Sequence, residues 1–416
     1  MRRIALLLAI VFMLGITTAC ARATPSPPAP AAQPPAPLPT PTPTPKRFEM
    51  PKVLVWTAYD VGSAGYAQTA SIGAVAMRRH GITFRIVPAG TDVGRQTPLV
   101  QQRAQVGALG IASFLSQEGV MEFASTEWGP QEVYIIGAAW GDFNTGNVMC
   151  AADAGIKTIS DLRGKRIAWV VGSPALNLNM TAFLAAAGLT WKDVTRVDFP
   201  SWGASTRAVI EGKADCAIAS TNSGASYELA NSPRKYYPPP LPRPEEDPQA
   251  WQRLKKHAPY FEYHEATVGA PPVSKENPHR GATYGYPILT VYRWLDEDLV
   301  YEVAKLVYES WPEYKDAYPG NEGFALERQV LKWVLPYHPG AVRYFKEKGV
   351  WTDEHERHNQ ELIRRQKVLL QAWEQALAEA AAKEVPAAQF PDLWMRIRAE
   401  ALKRAGLDPY WEEKFW

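Results

Sequence analysis

The feature that most constrains this chain is a rhythm of short apolar strands and helices that runs, stops and starts again. Val53-Leu54-Val55 reads as a strand, and Gln68 to Arg79 as a helix with an Ala/Ile/Val/Met face. "ITFRIVP" is a second strand, Pro98 to Ala104 a helix, and "VGALGIAS" a third strand. The rhythm restarts at "GNVMCAADAG" and continues through "GKRIAWVV", an Ala-rich helix after Pro174, "TRVDF", a helix over Thr206 to Glu211, and "ADCAIAS". Strands that alternate with helices imply an α/β layer fold with a largely parallel sheet. Two such runs imply two lobes with a cleft between them.

In sheets of this kind, ligands collect at the loops beyond the carboxyl ends of the strands. The first run offers Asp60 to Tyr66, Gly90 to Arg95, and Ser113-Phe114. The second offers Gly172 to Asn177, Ser201 to Ser205, and Ser220 to Gly224. The loop "DVGSAGY" ends where a helix begins, and a helix start presents free N–H groups and partial positive charge. Ser63, Ala64, Gly65 and Tyr66 are therefore candidate contacts for a bound anion, with Ser63 alternatively a cap and Tyr66 a packed ring; Asp60 either meets a solute amino group or caps the Ser63 amide. Gly90, Thr91, Asp92 and Ser113 share that ambiguity. Arg95 either forks onto a solute carboxylate or is a surface residue. Ser173 and Asn177 open a helix in the second lobe. Trp202 is a lid or a core aromatic. Thr221 and Asn222 either face the solute or hold their own turn.

The flanks carry different signals. Met1 to Cys20 has a basic start, a short apolar run and a small residue before the cysteine, the composition of a secretory signal. It resembles a bacterial lipoprotein signal, which implies lipid attachment at Cys20, although Thr17 stands where that pattern prefers an aliphatic residue. Residues 21–50 are rich in Pro, Ala and Thr and read as an extended tether to a membrane surface. After residue 350 the sequence turns helical. Leu362, Leu369, Leu370, Trp373 and Leu377 recur at helical spacing, and a second helix covers Pro391 to Ala405. The tail ends in Tyr410-Trp411 and Phe415-Trp416, either a docking patch or aromatics folded back on the first lobe.

Lys plus Arg number 45 against 43 for Asp plus Glu, so nothing favours a nucleic-acid partner. The seven histidines show no metal-ligand spacing, and no cofactor motif stands out. Cys150 and Cys216 fall on strands of the second lobe, where a disulfide and two free thiols are both open.

Three stretches carry a family resemblance: "DLRGKRIAW" with the helix and "AAGLTWKDV" that follow it, "AVIEGKADCAIAS", and "YHPGAVRYFKEKG". Together with the opening Gly/Ser loop they resemble the TAXI type of solute receptor, which serves tripartite ATP-independent periplasmic (TRAP) transporters. The resemblance covers most of Pro51 to Gly349. It implies a type II periplasmic-binding-protein fold, with lobe 1 from 51–145 and 270–350, lobe 2 from 146–269, and a C-terminal helical extension over 351–416. Hinges would lie near Ala139 to Gly146 and Ala270 to Tyr286. The implied function is capture of a small organic acid or amino acid outside the cytoplasm, and its delivery to an ion-gradient-driven membrane permease without catalysis. This chain departs from the family in keeping only Gly62 and Gly65 in the first loop, in having Gly172-Ser173-Pro174 in the second lobe, and in its longer tail. An enzyme would need a nucleophile with a base in reach; no G-x-S-x-G elbow is present, which leaves Asp60 with Asp92 as the one carboxylate pair to consider. A membrane-tethered sensor that docks a partner through its C-terminal helices is the other expectation.

Overall fold

The computed structural model describes residues 48–416. The signal segment, Cys20 and all but the end of the tether lie outside the described residues.

The first sheet is built from β1 (Val53–Ala58), β2 (Thr83–Pro88), β3 (Val106–Leu109) and β4 (Val133–Ala138). Helices α1 (Ala64–His80), α2 (Asp92–Val100) and α3 (Ala112–Glu118) connect them. The second sheet takes β5 (Asn147–Ala151), β6 (Arg166–Val170), β7 (Thr195–Phe199), β8 (Cys216–Ala219) and β9 (Tyr236–Tyr237), with α4 (Pro174–Ala186), α5 (Trp202–Ile210) and α6 (Gly224–Asn231). A helix α7 (Pro248–His257) and a hairpin of β10 (Glu262–Ala266) and β11 (His279–Thr283) lead back to β12 (Ile288–Tyr292). β12 completes the first sheet. Helices α8 (Glu297–Glu309), α9 (Trp311–Tyr314), α10 (Pro339–Glu347), α11 (Asp353–Ala382) and α12 (Phe390–Arg404) follow.

The strand orders are β2-β1-β3-β12-β4 and β7-β6-β8-β5-β9. They match position for position. Each sheet has three parallel strands followed by an antiparallel strand that belongs to a crossing of the chain. The chain leaves the first sheet after β4, enters the second at β5, and returns at β12. This is a two-lobed α/β architecture with a helical extension at the carboxyl end. The strands β3, β5, β8 and β12 inside the sheets, and the end strand β4, are buried along their whole length. The edge strands β2 and β7 have mostly exposed or half-buried residues.

Several expected elements shift. The run "VGALGIAS" is strand only to Leu109, and Ser113 lies in the first turn of α3, where its amide donates to Gly110 O at 3.2 Å. The second helix starts at Asp92 rather than Pro98, because Thr91 caps it by accepting from the Gly94 amide at 3.0 Å. Pro98 falls in its last turn. Cys150 stands opposite Cys216 in the β5–β8 ladder, and the two form a disulfide.

The tail is fastened to the first lobe. Its buried stripe on α11 is Asn359, Leu362, Arg365, Gln366, Leu369, Ala372 and Ala376, whereas Leu377 is exposed. Arg365 donates to Glu118 at the end of α3 at 2.7 Å, and Arg398 of α12 donates to the same carboxylate. Burial pushes the Glu118 carboxyl up, but the two guanidinium groups outweigh it and hold it below the ordinary range. Trp394 Nε1 donates to Gly119 O at 2.6 Å. The terminal aromatics are not a free patch. Tyr410 and Trp411 pack on Phe114 of the first lobe, and Trp411 Nε1 donates to His257 O on α7 at 3.2 Å.

Candidate functional site

The loops at the carboxyl ends of the two sheets meet face to face. Their contact is made by short side chains and bare backbone, which is why Gly, Ser and Asp crowd these loops. The Gly203 amide donates to Asp60 Oδ2 at 3.1 Å, and the Trp202 amide to Gly90 O at 2.8 Å. The Val93 amide reaches Gly172 O at 3.2 Å. A Cβ on Gly90 would lie 2.5 Å from Ser201 Cβ, one on Gly203 would lie 2.9 Å from Asp60 Oδ2, and one on Gly224 would lie 2.9 Å from Gly62 O. All three contacts join one sheet's loops to the other's. Glycine is needed there for close approach.

Asp92 is the centre of this seam. It opens α2 and is fully buried. One carboxylate oxygen accepts from the Tyr59 hydroxyl and from Arg95 Nη2; the other accepts from the Ala175 amide at 2.8 Å, at the start of α4 in the opposite lobe. The Asp92 amide in turn donates to Ser173 Oγ at 3.2 Å. Arg95, also fully buried, stacks 3.3 Å over the Tyr59 ring and donates from Nη1 to Ala108 O at 3.0 Å. Burial opposes its charge, but Tyr59 and Asp92 outweigh that, and its pKa is raised. Burial is also the main reason that the Tyr59 phenol is raised well above its ordinary value, so it stays a proton donor.

Beside the seam is a cavity of about 30 Å³. Tyr59, Ser63, Ala64, Arg95 and Gly110 line it from the first lobe, and Ala175, Leu176, Trp202, Ile218, Ala219, Ser220 and Ser223 from the second. Thr145 and Gly146 on the outward crossing, with Tyr284 and Tyr286 on the return, close its remaining sides. Two buried polar atoms on this wall have no partner: Arg95 Nε and Thr145 Oγ1. The space is far smaller than the roughly 300–1,000 Å³ of a typical ligand pocket. The lobes are therefore closed, around room for a few atoms.

Of the residues singled out from sequence, Ser63, Ala64, Arg95 and Trp202 lie on the cavity wall. Trp202 is at once wall and anchor, since its Nε1 donates to Ile218 O at 2.9 Å. Asp60, Gly90, Thr91, Asp92 and Ser173 belong to the seam. Asp60 and Asp92 are committed to separate partners there and do not face each other as an acid–base pair. Ser63 Oγ accepts from the Tyr66 amide at 3.2 Å and so caps α1.

Six further candidates lie off the wall. Gly65 lies against the Tyr286 hydroxyl, and Tyr66 is half-buried away from the cavity. Ser113 Oγ pairs with Thr290 Oγ1 at 2.7 Å beneath the sheet. Asn177 bonds the Val170 amide and carbonyl and holds its own loop. Thr221 accepts from the Asn144 amide and donates to Val268 O. Asn222 donates to Pro319 O at 2.7 Å.

The tyrosines Tyr59, Tyr284 and Tyr286 were missed. The last two flank Gly285 in "YGYP", just before β12. That is an aromatic pair at a crossing, and a signal that could have drawn attention. Among the described residues, no group of His, Cys, Asp and Glu is placed to hold a metal ion.

Fold and site together define a two-lobed α/β protein that closes on a small, aromatic-walled cavity. The chain belongs to the NMT1-like family, whose model matches residues 97–349 of its 416. Solved structures with some likeness include the alkanesulfonate-binding protein SsuA from Xanthomonas axonopodis pv. citri bound to MOPS. It is 14% identical over 82% of this chain and 96% of its own, with a TM-score of 0.39. A periplasmic binding protein from Brucella ovis with glutathione bound is 14% identical over 64% of this chain and 73% of its own, with a TM-score of 0.39. The amino acid ABC transporter substrate-binding protein AbpA from Streptococcus pneumoniae, bound to L-arginine, is 10% identical over 66% of this chain and 94% of its own, also at 0.39.

Proposed function

We propose that this protein is the extracytoplasmic solute-binding subunit of a TRAP transporter. It captures a small organic acid or amino acid between its lobes and hands it to an ion-gradient-driven permease, with no chemical step. The observation that carries the reading is the cavity itself. Both lobes and both crossings contribute to it, and two of its lining residues, Arg95 and Thr145, each carry a buried polar side-chain atom without a partner. A site assembled only on closure couples binding to the open–closed equilibrium, since only the closed state contacts the solute with both lobes. The disulfide between Cys150 and Cys216 supports folding in an oxidising compartment. The signal-like segment with Cys20 supports a lipid anchor.

The test is thermal melting of the body from residue 48 against a library of small organic acids and amino acids. A solute at about 100 times its Kd adds about 2.7 kcal/mol to stability. A shift for one chemical class is the expected result. A folded body that shows no shift with any member, and carries no co-purified solute by mass spectrometry, would overturn the reading.

A further inference from the structure

We propose that Asp92 sets the charge of the solute, so that the cavity accepts a molecule with no net charge, a zwitterion or a neutral polar compound, in preference to a carboxylate anion. This rests on the solute-binding reading above and narrows it.

The position where a solute carboxylate gains most is beside a buried guanidinium at a helix start. Here the chain fills that position itself. The Asp92 carboxylate, brought by α2 of the first lobe, takes both Arg95 Nη2 and the Ala175 amide at the head of α4 in the second. Arg95 is the one cationic side chain among the residues lining the cavity, and the Asp92 carboxylate is ion-paired with it. Their charges cancel. The tyrosines on the wall are held neutral, chiefly by burial.

A solute with net negative charge would then be enclosed with no uncompensated cation to meet it, and an unpaired buried charge is costly. A zwitterion avoids this. Its carboxylate accepts from Arg95 and Thr145, the two lining residues whose buried Nε and Oγ1 have no partner. Its ammonium finds the faces of Trp202, Tyr284 and Tyr286, where a cation is attracted to the ring. Asp92 does not line the cavity, so it acts on specificity through Arg95 and not by contact.

The experiment is titration calorimetry of the full chain at pH 7 with small probes of three charge classes. Glycine, alanine, serine and propanamide carry no net charge; lactate and pyruvate carry one negative charge; malonate and succinate carry two. The expected result is that a member of the first set binds at least about tenfold more tightly than the anions. Asp92→Asn, close in shape, leaves the Arg95 charge unbalanced and should raise the affinity of lactate or pyruvate relative to that member by about tenfold or more. Anions that bind the unmodified protein as tightly as the uncharged set would overturn the charge rule and leave the receptor reading standing. So would a folded Asp92→Asn protein with an unchanged ratio. If that variant does not fold, the ratio in the unmodified protein decides. Silence from every probe with the folded protein overturns the charge rule, which requires an uncharged member to bind; the receptor reading falls only with the library and mass-spectrometry result described above.

Discussion

Replacing Gly224 by Ala should wedge the lobes apart while leaving each intact. The added Cβ would lie 2.9 Å from Gly62 O, 3.3 Å from Gly62 Cα and 3.5 Å from Gly62 C. All three are backbone atoms, so no side chain can swing away. The oxygen contact is about 0.5 Å short of comfortable packing. Overpacking of this kind costs about 1–3 kcal/mol. Here it falls only on the closed state, because Gly62 and Gly224 belong to opposite lobes. The open–closed ratio should therefore shift by about 5- to 150-fold toward open. Local damage is not a rival explanation. Gly224 begins α6 without a positive φ, and Ala in a helix is better than Gly by roughly 0.5–1 kcal/mol. The assay is small-angle scattering of the unliganded body, paired with a melting curve. A larger radius of gyration at unchanged or higher melting temperature is expected. A scattering curve superimposable on that of the unmodified protein would refute the seam as the determinant of closure.

Other expectations concern stability. Glu118→Gln leaves Arg365 and Arg398 buried without a counter-charge and should cost about 3–5 kcal/mol in denaturant unfolding; a loss well under 1 kcal/mol would contradict the pairing described. Replacing both Cys150 and Cys216 with Ser removes a cross-link between residues 66 apart, worth about 4 kcal/mol in the chain-entropy model; a melting point unmoved by reductant would argue that the thiols are not joined. Burial pushes the Glu122 carboxyl up to about 7, with nearby Asp92 adding to the rise against backbone hydrogen bonds from Glu122 and Gly172. An unfolded Glu titrates near about 4.3, so this group's stabilisation is full below that pH and is lost as pH rises through about 7. Melting curves of Glu122→Gln across that window should decline less steeply than those of the parent.

The alternation of strands and helices was legible because local pattern alone carries it. Val53-Leu54-Val55 and "KRIAWVV" needed no tertiary context. Misreadings came where one tertiary contact decides. The pattern at Pro98 suggests a helix start, but the Thr91 cap begins that helix six residues earlier, at Asp92. The stripe on α11 was read through Leu370 and Leu377, but the helix buries Arg365 and Gln366, whose polarity hid them; Glu118 and Gln117, far back in the chain, are what make their burial tolerable. The candidate site was legible as a set of loops and not as a set of contacts. Asp92 and Arg95 stood out by type, yet nothing local reveals that their partners are Ala175 and Ala108. Tyr284 and Tyr286 come from the return crossing, and their place on the wall depends on the whole path of the chain through the second lobe.

The position of Trp411 has a mechanical consequence. Two bodies joined at two points keep one free rotation, about the line through the joints, and the two crossings of the chain supply such a pair. The tail adds a third fastening: α12 is bolted to the first lobe through Arg398 and Glu118, and Trp411 reaches His257 on α7. Helix α7 moves with the second lobe, because Arg253 caps the carbonyls of Ala185 and Ala186 on α4. A third joint off the axis removes the remaining degree of freedom unless it yields. Opening therefore requires that the joint at Trp411 slip, at a cost of about one hydrogen bond and some aromatic contact. Resistance to gaping is thus set at the rear of the molecule, by a segment that never touches the cleft.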